Sequence, residues 1–316
     1  MGRTDLLNLS RHVSERHVRK RILSHLESYD IELVLCAHNR KRQFKFDADF
    51  TLFCATHGHL KLLKWARKHD CPWHMNTCRE AAEHGHVKLL KYAHANGAPL
   101  SSYTCTVLAE RGDMDTLKWA QANKFHLHHS VCRRAALRGD IPMIQWAIRK
   151  GCGLYVSACV GAAMNGHLQT LKRLRELGAP WSGIVCDTAA RNGHLHVLEW
   201  AHANGCRVEG PTVSEAARGG HIHVLQWLHD HHFFIPREVL STCGDCIAVL
   251  EWGKTMFELS EYSDACMNAI ELGNVQVLDW AKSQGFKFGT IHTYAASKSA
   301  NARIVQWFAG ITPAQD

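Results

Sequence analysis

A glycine recurs every 27 residues through the middle of this chain: Gly58, Gly85, Gly112, Gly139, Gly166, Gly193 and Gly220 keep that spacing. A fixed period of this size means a stacked array, in which each small unit can bury its apolar face only against its neighbours. Counted from eight residues before each glycine, the units begin at Phe50, Thr77, Thr104, Val131, Ala158, Val185 and Thr212. The next unit is two residues short, and the register returns at Ala265 and His292. Residues 29–37 (YDIELVLCA) read as a degenerate earlier copy, which makes about ten units on the period these glycines set.

Each unit reads as two helices. In residues 77–103, Thr77 is a plausible N-cap, and Cys78, Ala81 and Ala82 share one face of a two-turn helix that Gly85 ends. His86 opens a second helix; Asp113, Asp140 and Asn274, at the same position in other units, are better caps. Val87, Leu90, Tyr92 and Ala93 form its buried face, and Gly97 closes it, as do Gly151, Gly178, Gly205 and Gly285 elsewhere. A column of aromatics, Trp65, Tyr92, Trp119, Trp146, Trp200, Trp227, Trp252, Trp280 and Trp307, is expected to be core between neighbours, broken only by Arg173. Cys78, Cys105, Cys132, Cys159, Cys186 and Cys266 share another column. Neighbouring helices pack ~8–10 Å apart, too far for stacked equivalents to form disulfides, so these thiols are expected to serve as small hydrophobes.

Composition agrees with a folded array: 46% of residues are hydrophobic and 21% charged, with only 7 prolines and no Gly/Ser-rich linker. No apolar run reaches the ~18 residues of a membrane span, so no membrane is expected. The first residues lack the apolar core of a signal peptide, and 13 cysteines is an odd number, so reduced thiols and a cytoplasmic or nuclear location are expected, with a monomer as the default.

The segments AAEHGHVKLLKYAHANGAP and AARNGHLHVLEWAHANGC resemble the central part of the ankyrin repeat. The Ala-Ala and Gly-His elements match at Ala81, Ala82, Gly85 and His86, and at Ala189, Ala190, Gly193 and His194; the closing Gly-Ala matches at Gly97 and Ala98. The likeness covers roughly residues 50–310 and is similar to short Trp-rich arrays of giant DNA viruses of amoebae and some protists, which would put a viral chain in the host cytosol. The ankyrin period is about 33 residues; the shortfall here lies after Gly97, where ankyrins project a hairpin finger. The expected fold is therefore an all-α, ankyrin-like helix–turn–helix solenoid with shortened loops and no β-hairpin fingers, over residues 50–316. Residues 1–49 are expected to be a capping helical segment, or an F-box-like one, since Ile22, Leu23, Ser24, Leu26, Asp30, Ile31 and Leu33 resemble that motif's core.

Catalytic signatures are missing. Gly253-Lys254-Thr255 lacks the leading glycine of a phosphate loop, since Ala248 stands there, and no GxGxxG or HExxH occurs. No enzyme activity and no cofactor are expected. Cys243 and Cys246 form a CxxC after His229, His231 and His232, but an eroded repeat is favoured over zinc, so no metal is assigned. The resemblance implies protein binding through the concave first-helix face. Arg79, Glu80, His84, Arg111, Arg133, Arg134, Arg138, Asn165, Arg191 and Arg218 are the expected partner-binding residues. With a net charge of +8, nucleic acid on the arginine stripe is the alternative, beside a ubiquitin-ligase adaptor role. A protein partner is preferred and nucleic acid disfavoured, because that face lacks interleaved aromatics for base stacking.

Overall fold

A computed structural model describes residues 47–101, 103–242 and 246–311. The F-box-like or capping segment lies outside the described residues, as does Cys243 of the CxxC. The chain divides into two compact units, residues 1–128 and 129–316. Among the described residues every regular element is a helix, and no strand occurs, so the shortened loops carry no hairpin finger.

The first unit holds three helix pairs: Ala48–His57 with Leu60–Lys68, Thr77–Glu83 with Val87–Ala95, and Thr104–Arg111 with Met114–Ala122. In the second unit the pairs begin with Ser130–Leu137 and Ile141–Arg149, Val156–Met164 and Leu168–Glu176, Ile184–Arg191 and Leu195–Ala203, and Gly210–Arg218 and Ile222–Asp230. They continue with Val239–Thr242 and Ile247–Gly253, Ser263–Leu272 and Val275–Ser283, and Thr290–Lys298 and Ala302–Ala309. Helices of two to three turns are marginal in isolation, so packing must hold them. Within each unit the first helices pack on one another through small residues, Cys78, Ala81 and Ala82 in one copy and Cys186, Ala189 and Ala190 in another, all buried. The second helices bury a Leu-Leu-x-x-Ala stripe, such as Leu89, Leu90 and Ala93.

The Gly-His turn does more than end a helix. His221 occupies the N-cap position of its own second helix but makes no side-chain capping bond there. Its ring reaches back one repeat, and Nε2 lies 3.0 Å from the Arg191 carbonyl. A carbonyl can only accept, so Nε2 carries the proton. His86 to Thr56, His167 to Leu137 and His194 to Met164 repeat this bond, each at 3.1 Å. The rings thus satisfy the orphan carbonyls at first-helix C-termini and tie adjacent repeats together. Asp113 and Asp140 at the same position cap their own helices instead, accepting from Thr116 N at 3.0 Å and Met143 N at 2.9 Å.

Two expectations are refined. Of the aromatic column, Trp146 and Trp280 are buried; Trp65, Tyr92, Trp119, Trp200, Trp227, Trp252 and Trp307 are half-buried, with an edge at the surface. The shortened repeat is mended locally: a 3₁₀ turn, Leu259–Tyr262, carries Tyr262 into the core, where its hydroxyl donates to Leu250 O at 2.9 Å.

Candidate functional site

Two helix layers offer a binding surface, and the expected residues lie on the first-helix layer. In the first unit, Arg79 pairs with Glu83 at 3.5 Å, and Glu80 lies 3.7 Å from His84. The Arg111 guanidinium turns back onto the preceding repeat and donates to Glu83 O at 2.8 Å. In the second unit, Arg133 and Arg134 stand half-buried on Ser130–Leu137, with Arg138 exposed just beyond. Asn165 donates to Leu137 O at 2.7 Å. Glu215 takes both Arg191, at 3.0 Å, and Arg218. Asp187 accepts from Thr212 Oγ1 at 2.6 Å, and burial pushes its carboxyl above the usual range. Much of this stripe is thus occupied with its own carboxylates and carbonyls, so it offers a phosphate or an acidic surface less charge than its arginines suggest.

The second-helix layer of the first unit differs. Helices Leu60–Lys68, Val87–Ala95 and Met114–Ala122 carry Lys61, Lys64, Arg67, Lys68, Lys88, Lys91 and Lys118 against one carboxylate, Asp115. The six lysines are exposed, and no ion pair engages any of them among the described residues. Aromatic rings lie between them. The Lys64 ammonium sits 5.3 Å from the Tyr92 ring centre, and that of Lys91 sits 5.4 Å from Trp119. Arg67 stacks at 4.6 Å over Trp73, whose indole N–H donates to Asn96 O at 3.0 Å. Each repeat of this unit places a lysine immediately before its aromatic, and the 27-residue period sets Lys64 and Lys91 over the next repeat's ring.

The second unit keeps this arrangement but changes its charge. Lys172 still lies over Trp200, at 5.8 Å. Further along, Gln226 accepts from the Trp252 indole at 2.9 Å, Glu251 from that of Trp280, and Asp279 from that of Trp307 at 2.6 Å. The Trp280 indole N–H and the Lys254 ammonium hold Glu251 below the usual carboxylate range. A lysine meets the negative ring face, and a carboxylate meets the positive N–H edge. Lys64-Trp65, Lys91-Tyr92 and Lys118-Trp119 were legible as dipeptides. Reading the aromatics as wholly core hid their surface edges.

No protein-family model matches the chain, and no curated protein matches it. Among solved structures it is similar to the pentatricopeptide repeat protein PPR10 in complex with an 18-nt psaJ RNA element, at 12% identity and a TM-score of 0.41, over 93% of this chain and 52% of that one. A triple cysteine-to-serine form of PPR10 with an 18-nt psaJ RNA element gives 11% identity, a TM-score of 0.41 and the same coverage. PPR10 from maize gives 11% identity and a TM-score of 0.35, over 95% of this chain and 54% of that one. The chain spans about half the length of the chains it matches. What it shares with them is a helical-repeat array; they belong to a repeat family other than ankyrin. Two of these repeat proteins are in complex with RNA. For this chain, the expectation of a protein partner, with nucleic acid disfavoured, is corrected on its own surface: the interleaved aromatics missing from the first-helix layer are present on the second-helix layer.

Proposed function

We propose that this chain is a non-enzymatic helical-repeat scaffold, a shortened ankyrin-type variant, that binds single-stranded nucleic acid on the second-helix layer of its first unit. One observation carries the reading: seven lysines and arginines face one carboxylate there, with half-exposed Trp65, Tyr92 and Trp119 between them. A lysine over an exposed ring is worth about 0.5–1 kcal/mol. A base stacked on such a ring is worth about 1–3 kcal/mol, and the released ammonium is then available to a phosphate. Exchanging the lysine for a base therefore favours binding, and the stacking tolerates any sequence because every base has a π-face. The Ala-Ala, Gly-His and Gly-Ala elements support the ankyrin-type kinship.

Fluorescence anisotropy with labelled oligouridylate and oligothymidylate, titrated at several salt concentrations, tests the proposal. Affinity should fall linearly on a log–log plot, with a slope of roughly −0.7 per phosphate engaged. Comparing the two oligomers distinguishes RNA from DNA. Absence of binding at low salt, or binding with a flat salt response, would overturn it.

A further inference from the structure

The cysteine column has a second half. Two repeats place another cysteine 20 residues after the first-helix one, directly behind the glycine that closes the second helix: Cys152 behind Gly151, and Cys206 behind Gly205. The Cys132 thiol donates to Cys152 Sγ at 3.4 Å. Cys186 and Cys206 stand at the same two positions, where the Cys206 thiol donates to Ser182 O at 3.3 Å. The two pairs occupy identical register positions two repeats apart, so the repeat geometry itself brings them together. Cys78, Cys105, Cys159 and Cys266 share the first-helix position but meet Ala98, Phe125, Ala179 and Phe286 at the loop position. Stacked equivalents remain too far apart to pair; the partner thiol lies within the repeat.

We infer that Cys132–Cys152 and Cys186–Cys206 are dithiol sites that close to intra-repeat disulfides when a low-molecular-weight disulfide such as glutathione disulfide is the oxidant. Closing 3.4 Å to the ~2.05 Å of an S–S bond needs a movement of little more than an ångström, within reach of side-chain rotation. Cys206 is the thiol placed to react first. It lines a cleft of about 450 Å3 with His202, Arg207 and Glu209 and keeps 3% of its surface exposed there, whereas Cys186 is wholly buried. The neighbouring Cys186 holds the Cys206 thiol below its ordinary value, and the Arg175 charge acts in the same direction. Cys186 is correspondingly pushed up, by its neighbour Cys206 and by burial.

The exchange balances. The Cys206 thiolate attacks one glutathione sulfur, the S–S bond breaks, and a glutathione thiolate leaves. Cys186 then gives up its proton and attacks Cys206 Sγ, expelling the second glutathione thiolate. The two protons from the cysteines end on the two glutathiones, so the protein loses two hydrogens and glutathione disulfide gains them. The bridge pins the loop behind the second helix to the first helix of the same repeat, and closing that loop removes freedom from the unfolded chain.

The test treats reduced full-length protein with glutathione disulfide under native conditions, alkylates it and maps its peptides. Linked Cys132–Cys152 and Cys186–Cys206 peptides are expected, each short of two hydrogens, with Cys78, Cys105, Cys159 and Cys266 alkylated. The oxidised protein should melt higher than the reduced one, and a reductant should reverse the shift. Cys186→Ser should hold one glutathione on Cys206, because the resolving thiol is gone. Equal alkylation of all these cysteines, or the same pairing pattern after unfolding in urea, would overturn the inference. The wild-type map decides even if the variant does not fold.

Discussion

Two glycines of one repeat separate backbone strain from packing. Gly193 follows the helix Ile184–Arg191, and Gly205 follows Leu195–Ala203; their φ values are +71° and +83°. A Cβ on Gly205 would meet nothing within 4 Å. Gly205→Ala therefore costs the left-handed penalty of ~1–2 kcal/mol, less the ~0.4–1 kcal/mol recovered by stiffening the unfolded chain. The net loss is about 1 kcal/mol on those terms. A Cβ on Gly193 would lie 2.6 Å from His221 Nδ1 and 2.7 Å from Cε1, so the ring must move. That breaks the His221–Arg191 bond, worth ~0.5–1.5 kcal/mol, and disturbs the inter-repeat packing around it. Gly193→Ala should cost about 2–3 kcal/mol in all, roughly two to three times the loss at Gly205. Urea unfolding of both variants beside the parent, followed by circular dichroism, measures the difference. Equal losses would refute the idea that the histidine reach-back couples one repeat to the next.

Three further outcomes follow from the same geometry. Lys124 stands where other repeats have the closing glycine and sits at φ 68°, so Lys124→Gly should raise stability by up to about 1 kcal/mol; a lower urea midpoint would contradict this. Trp146 is one of two buried members of its column, and Trp146→Ala should cost about 3–5 kcal/mol, while a loss below about 1 kcal/mol would mean that the site repacks without a cavity. Burial, then the neighbouring His57 and His86, lowers the His59 pKa, and burial also leads in lowering that of His194, each from an ordinary 6.5. The unfolded chain then binds more protons, so stability should hold above pH 6.5 and fall as pH drops through that value. A melting temperature that rises between pH 7 and pH 5 would contradict the sign, pH 5 being roughly where carboxylates begin to contribute.

The glycine period made the paired helices and their boundaries legible, because a left-handed turn every 27 residues leaves room for little else, and the shortfall against the ankyrin repeat implied loops without hairpins. The interactions between repeats were harder to read. His221 looks like a weak helix cap in sequence, yet its ring serves a carbonyl 30 residues earlier. Lys64 looks like an ordinary solvated lysine, yet it covers an aromatic 28 residues later. Periodicity sets Cys132 beside its equivalents in other repeats, whereas its nearest thiol, Cys152, lies in a different register of the same one. The arginines lie on first helices, or in the case of Arg138 just beyond one, but the pairing of Arg111 with Glu83 O and of Arg191 with Glu215 depends on side-chain directions that spacing alone does not give.

The most direct test of the binding account removes Lys64, Lys91 and Lys118 together as alanines. Each is exposed and precedes its aromatic at the same register position, so the fold should survive. Oligouridylate affinity of this variant, measured against salt beside the parent protein, is the decisive quantity. The account predicts weaker binding and a log–log slope shallower by about 2, roughly 0.7 for each phosphate no longer neutralised. An unchanged slope and affinity, with circular dichroism matching the parent, would contradict it and remove the second-helix layer of the first unit as the nucleic-acid surface.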